Sequence, residues 1–328
     1  MRPFSYARAR RPEEAVGLVA GRPRARFIAG GTDLLNLMKD GVQEHDQLID
    51  INALSMSGIE LVENGAVRIG ALARMRDVAE HDLVRNRLPV VSEALLASAS
   101  PQVRNMASIG GNLLQRTRCS YFRDAAMPCN KRVPGSGCPA IAGQNRWHAI
   151  LGGSGSCIAV HPSDLAVALV ALDAVVLILG PDGDRRVPLR EFYLVPGNTP
   201  DQENALRHGE LITAVEVPAT ALSAHSRYVK LRDRASFEFA VVSVAAALRM
   251  RGRTVCEARL AFGGVATGPW RSAEAEQAII GRALTPATID AAGQAAIRDA
   301  VPREHNGFKV ELVQRALAGL LDDLAGTR

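Results

Sequence analysis

Arg26-Phe27-Ile28-Ala29-Gly30-Gly31-Thr32-Asp33-Leu34 reads as a short apolar strand that runs through a glycine turn into the helical pattern Leu34-Leu35-Asn36-Leu37-Met38. Two adjacent glycines let a backbone come close to a ligand, and amides opening a helix suit an anionic phosphate. The plainer reading is a tight turn with no ligand, which Gly-Gly commonly marks. The stretch lacks G-x-G-x-x-G, so a Rossmann crossover is not indicated, and no Gly-Lys-Ser/Thr follows it as in a P-loop. Outward from it, residues 11–20 read as a helix with Pro12 at its start and Glu13 and Glu14 in its first turn. Gln47-Leu48-Ile49-Asp50-Ile51 is a further strand. This alternation over residues 1–55 predicts a small parallel α/β unit.

Beyond it the pattern changes. Residues 58–70 read as a hairpin turned by Asn64-Gly65, and 75–99 as a helical region. Residues 105–160 form a long stretch rich in Gly, Pro, Ser, Asn and Cys, and a loop of that length is usually functional or disordered. A helix is expected over 164–172 and a strand over 175–179, turned by Asp182-Gly183. A break near 218–226 precedes three antiparallel strands, 228–231, 240–250 and 254–262. Residues 271–325 are Ala-rich and helical in period, with Thr285-Pro286 as a helix start. The expected units are 1–55, 56–220 with an insertion at 115–158, and 225–328.

The glycine chemistry recurs in Ala107-Ser108-Ile109-Gly110-Gly111-Asn112-Leu113. Two Gly-Gly turns, each flanked by Ser/Thr and Asn/Asp, can grip two ends of one diphosphate-containing ligand. Asp164 in His161-Pro162-Ser163-Asp164 stands at a helix start. It reads either as an N-cap or as an acceptor for ribose hydroxyls or a flavin ring.

Four of the five cysteines, Cys119, Cys129, Cys138 and Cys157, lie in the long stretch, with nine, eight and eighteen residues between them. A segment of this composition has little apolar surface to bury and needs something to tie it down. The paired C-x₂₋₄-C knuckles of structural zinc are absent. Wide, unequal gaps suit a cubane iron–sulfur cluster, in which each thiolate binds a different iron. Disulfides or chance remain open on spacing alone. Cys256, in a strand pattern, reads as a core residue.

The 328 residues are 47% hydrophobic and 22% charged, values of a globular protein of two or three domains. A net charge of +5, spread along the chain, and 4% aromatics do not point to nucleic acid. The N-terminus lacks a signal-like apolar run, and the longest apolar stretch, 165–179, is interrupted by Asp173 and too short to span a bilayer. Membrane insertion is not expected.

Phe27 to Leu34, Ser108-Ile109-Gly110-Gly111-Asn112, Pro162-Ser163-Asp164, Lys230 with Arg232-Asp233-Arg234, and Val241-Val242-Ser243-Val244-Ala245 together resemble the FAD-binding subunit of the molybdenum hydroxylases, the xanthine dehydrogenase and aldehyde oxidoreductase family. The resemblance spans nearly the whole chain in order. It implies an α+β fold of the vanillyl-alcohol-oxidase type, a small α/β subdomain plus an antiparallel α+β subdomain, followed by a C-terminal sheet-plus-helices domain. It implies that Phe27, Ile28, Ala29, Gly30, Gly31, Thr32, Asp33 and Leu34 wrap the FAD diphosphate and that Ser108, Ile109, Gly110, Gly111 and Asn112 hold its opposite side. Asp164 would contact the adenosine or flavin region, with Ile212 and Lys230 near the isoalloxazine. No residue is carried into a catalytic acid–base role, since such a subunit works through its cofactors.

The cysteine stretch is similar to the insertion that holds a [4Fe-4S] cluster in the flavin subunits of periplasmic aldehyde oxidoreductases, which makes Cys119, Cys129, Cys138 and Cys157 its implied ligands. A comparable loop occurs in hydroxybenzoyl-CoA reductases, so a flavin subunit of that type, or of xanthine dehydrogenase, is the second reading. The implied partners are a large subunit with the molybdenum cofactor and a small subunit with [2Fe-2S] clusters, in a heterotrimer that serves an external electron acceptor. Periplasmic location would follow from co-export with a signal-bearing partner; a cytoplasmic complex is the other expectation. A self-contained flavin oxidase is disfavoured, because no His-plus-Arg or Tyr cluster for a substrate is evident. A zinc-stapled structural protein is the rival outside the enzymes.

Overall fold

In the computed structural model, which describes residues 1–326, the strands β1 (Ser5–Arg8), β2 (Ala25–Ile28) and β3 (Gln47–Asp50) form a parallel sheet in the order β1-β3-β2. The helix Pro12–Ala20 buries Ala15, Val16 and Val19 beside it, in a small core with Ile49, Leu54 and Leu211. Strand β1 was not legible in the sequence. Its residues are mostly exposed, and tertiary bonds hold it: Tyr6 Oη and Arg8 Nε donate to Asp50 at 2.5 and 3.0 Å.

The second sheet runs β4 (Ile59–Leu61), β5 (Ala66–Gly70), β6 (Val175–Gly180), β7 (Gly183–Pro188) and β8 (Leu211–Pro218), in the antiparallel order β4-β5-β8-β6-β7. The Asn64-Gly65 hairpin forms as expected, with Gly65 at φ +77°. The middle strand, β8, was missed because Glu216 breaks its apolar run. That carboxylate is buried yet neutralised: Arg68 Nη2 stands at 2.8 Å and Arg186 Nη2 at 2.5 Å. The expected helical region 75–99 is three helices, Met75–Glu80, Asp82–Arg87 and Pro89–Ala97. Extended backbone at His81 and the restriction that Pro89 places on Leu88 make the breaks.

Strands β9 (Ser226–Leu231), β10 (Val242–Arg251), β11 (Thr254–Gly263) and β12 (Trp270–Arg271) form an antiparallel sheet in the order β12-β11-β10-β9. The helices Ala273–Ile279, Pro286–Ala296 and Phe308–Leu324 share its core. Thr285 and Thr288 make a reciprocal capping box where the sequence predicts the second of these helices to begin. Cys256 is corrected here: Val255 and Ala258 turn into that core, and Cys256 is only half-buried between them. The helix Asp164–Ala171 lies between the helix Pro89–Ala97 and strands β10 and β11, which is why every residue of it is buried.

Candidate functional site

The end of β2 delivers Phe27 through Leu34 to the wall of a cavity of about 790 Å³. Ser108, Gly110, Gly111, Asn112, Asp164 and Ile212 line the same space. Four separated pieces of sequence thus meet, and the volume lies in the range of cofactor pockets. Two expected residues stand off the wall. Ile109 faces the main apolar core, and Lys230 lies behind Asp164.

Gly30 permits the meeting. A Cβ there would stand 2.1 Å from the Met106 carbonyl oxygen, so only glycine lets the first turn abut the segment that leads into the second. Gly31 follows at φ +69°, a left-handed conformation costly for other residues. The second turn is fixed from behind. Gly110 N donates to Ala71 O at 2.8 Å, and Ser108 Oγ accepts from Gly111 N at 3.3 Å. Ser163 Oγ donates to Asn112 Oδ1 at 2.5 Å and accepts from Ala166 N at 3.0 Å. Ser163, and not Asp164, therefore caps the helix Asp164–Ala171.

Asp164 lines the cavity, but its carboxylate is committed to protein partners. Lys230 Nζ donates to Oδ2 at 2.8 Å, Ser98 Oγ to Oδ2 at 2.9 Å, and Tyr228 Oη to Oδ1 at 2.7 Å. Lys230 also donates to Ala97 O at 3.2 Å. Both side chains of the pair are almost wholly buried. Burial, reinforced by the Asp164 charge, pushes the Tyr228 phenol well above its usual range, so it stays a donor. The network sets a fixed field behind the cavity wall.

Asp33 is similarly engaged. Arg118 Nη1 and Arg123 Nη2 each stand 2.8 Å from Oδ1, and the Arg116 amide donates to Oδ2 at 2.8 Å. The first glycine turn is therefore clasped to the segment that carries Cys119. Arg26, Arg116, Arg118, Arg123, Arg207 and Arg234 all line the cavity, where Arg116 pairs with Glu203, Arg118 and Arg123 with Asp33, and Arg234 with Glu238. These arginines were not singled out as site residues from sequence; the close pair Arg116 and Arg118, just after the second glycine turn, was the available signal.

Cys119, Cys129, Cys138 and Cys157 line a second, smaller cavity together. All five cysteines are free, which sets the disulfide reading aside. Among the described residues, no group of three or more His, Cys, Asp and Glu stands close enough to hold a metal ion as placed. Burial pushes the Cys119 thiol up to about 12, against the pull of the Phe122 and Tyr121 amides. Cys138 and Cys157 are raised for the same reason, opposed at Cys138 by the amides of Ile158, Ala140 and Ile141. Four soft donors, three of them met by backbone N–H groups, are the chemistry a cubane cluster uses. The stretch does not depend on a metal for every tie, contrary to the reading from composition. Arg132 Nη1 donates to the carbonyls of Tyr121, Phe122 and Asp124, and Asn130 Oδ1 accepts from Gly137 N at 2.7 Å.

Comparison with known proteins adds to this geometry. Residues 2–220 match the family described as FAD binding domain in molybdopterin dehydrogenase, and residues 227–324 match the CO dehydrogenase flavoprotein C-terminal domain. The chain is 48% identical over 322 residues to the aldehyde oxidoreductase FAD-binding subunit PaoB of Escherichia coli, covering 98% of each. It is 28% identical to the glyceraldehyde dehydrogenase medium chain of Sulfolobus acidocaldarius, covering 93% of this chain and 91% of that one. A solved structure of carbon monoxide dehydrogenase from Hydrogenophaga pseudoflava superposes with a TM-score of 0.77 at 28% identity, covering 99% of this chain and 98% of that one.

Proposed function

Because the chain belongs to the family of FAD-binding domains in molybdopterin dehydrogenases, we propose that it is the FAD- and [4Fe-4S]-carrying subunit of a molybdenum-dependent aldehyde oxidoreductase. That it is the flavin subunit of a molybdenum hydroxylase, and so part of an oxidoreductase, follows from the family itself. The observation that carries the finer reading is the pairing of two cavities. One is lined by both glycine turns, the other by four cysteines, and Asp33 ties the first turn to Arg118 and Arg123, which flank Cys119 in sequence.

In this reading the backbone of Ala29 to Asp33 holds one side of the FAD diphosphate, and Ser108 and Gly110 to Asn112 hold the other. Arg26 on the cavity wall offers a positive charge to it. Ile212 offers an apolar surface to the flavin, while Asp164 and Lys230 act on it through the wall they stiffen. Bound FAD supplies the electron exchange between the [2Fe-2S] clusters of a small partner subunit and an external acceptor. Cys119, Cys129, Cys138 and Cys157 would ligate the four irons of the cubane. The substrate is an aldehyde oxidised on a large partner subunit that holds the molybdenum cofactor, and the three chains form a heterotrimer. Such a complex would be exported folded to the periplasm on a signal carried by a partner.

The test is anaerobic addition of an aromatic aldehyde to the co-purified complex. The flavin absorbance should bleach with all three chains present and stay unchanged with this chain alone. Bleaching by xanthine or a hydroxybenzoyl thioester and not by aldehydes would favour the second reading, a flavin subunit of those enzyme types.

A further inference from the structure

Outside the FAD cavity, the buried polar group with the least explained role is His148. Its Nε2 lies 3.1 Å from Cys119 Sγ, and its Nδ1 is buried with no hydrogen-bond partner. The ring is 3% exposed, so the sulfur is the polar atom to which it is committed.

The backbone of His148 is held with unusual thoroughness. Its amide donates to Asn145 O at 2.9 Å. Its carbonyl accepts from Lys309 Nζ at 3.0 Å and Asn306 Nδ2 at 3.3 Å. Lys309 Nζ reaches Gly264 O as well, at 2.7 Å, and Asn145 Oδ1 accepts from His305 N at 2.9 Å. Asn145, Asn306 and Lys309 are fully buried. A clamp built from the start of the helix Phe308–Leu324 and the turn before it thus reaches into the cysteine stretch and fixes one ring against one sulfur.

We propose that His148 is a positioning residue for the iron–sulfur centre, donating its Nε2–H to the Cys119 sulfur and so setting the reduction potential of the cluster. The inference rests on the cluster reading given above. A sulfur bound to iron carries no proton, so the ring nitrogen facing it must be the donor, and Nδ1 then keeps the lone pair. An N–H···S bond draws charge off the thiolate and favours the reduced cluster, which holds the extra negative charge. Hydrogen bonds to cluster sulfurs and second-shell partners of ligands act in this way generally.

The experiment is a redox titration followed by electron paramagnetic resonance on the purified full chain, in wild type, His148→Phe and His148→Gln. Iron and sulfide per chain are measured in each. The Phe variant should keep its iron yet reduce at a more negative potential with altered g-values, and Gln, which retains a donor, should restore most of the shift. A Phe variant with full iron and the wild-type potential overturns the proposal. Should that variant fail to load iron, wild-type protein labelled with ¹⁵N-histidine decides: a histidine nitrogen coupled to the reduced cluster supports the bond, and its absence overturns it. Wild-type chain without iron and sulfide would overturn the cluster reading itself, and this inference with it.

Discussion

Lys230→Met should destabilise the protein severely, because it strands a carboxylate in the core. Asp164 and Lys230 are 5% and 2% exposed at the side chain, and their nearest charged atoms are 2.8 Å apart. Taking one partner from a buried pair costs about 3–5 kcal/mol, most of it the desolvation of the charge left behind. Tyr228 and Ser98 would still donate to Asp164 and offset part of that, which places the expected loss near the low end. Asp164→Asn leaves the ammonium with neutral acceptors only, the Ala97 carbonyl and the new amide oxygen, and should cost about as much. The double variant Asp164→Asn/Lys230→Met buries no net charge. It should be more stable than the sum of the singles by about 2–3 kcal/mol, as neighbours in one network behave. Urea unfolding of the four proteins, stripped of FAD, reads this directly. With a slope of about 3 kcal/mol per molar, the coupling moves the midpoint by about 1 M. Singles that add to within about 0.5 kcal/mol would refute the network. Coupling that appears only with FAD bound would show that the carboxylate belongs to the cofactor.

Gly30→Ala should abolish FAD retention, since its Cβ would overlap the Met106 carbonyl and no rotamer relieves a backbone clash; equilibrium dialysis with FAD checks this, and wild-type affinity would contradict it. Cys138→Ser should strip iron from the chain while leaving its FAD cavity lined as before, read as iron per FAD by elemental analysis; an unchanged ratio would remove the cluster assignment. Stability should also fall as pH drops from about 6.5 towards 4. Burial pushes His161 down to about 3 and His45 down to about 4, so both are neutral when folded and take up protons on unfolding. The stability they hold is complete above the unfolded pKa and is lost on acidification. His161→Phe should flatten that slope in thermal scans between pH 7 and pH 4.

Much of this arrangement was legible in the sequence because local chemistry and tertiary role coincide there. Gly30-Gly31 marks a turn and also the closest backbone approach, and Thr285-Pro286 marks a helix start that forms with its cap. Strands β1 and β8 were not legible, since one is exposed and the other carries Glu216 inside a sheet, rescued by Arg68 and Arg186 from distant segments. Asp33 and Asp164 were found by position but not by role. Sequence places a carboxylate beside a cavity, yet cannot say that three arginine residues or a lysine will claim its oxygens. His148 stayed silent for the same reason. Its neighbour Cys119 is 29 residues away, and the clamp that orients it comes from the start of the last helix and the turn before it.

The most direct measurement is the stoichiometry of iron, acid-labile sulfide and FAD in the purified chain, with its visible spectrum. The account predicts about four irons and four sulfides per FAD, as one cubane cluster requires, with flavin bands over a broad iron–sulfur shoulder. A yellow protein with one FAD and no sulfide, or a colourless one holding zinc, would contradict it.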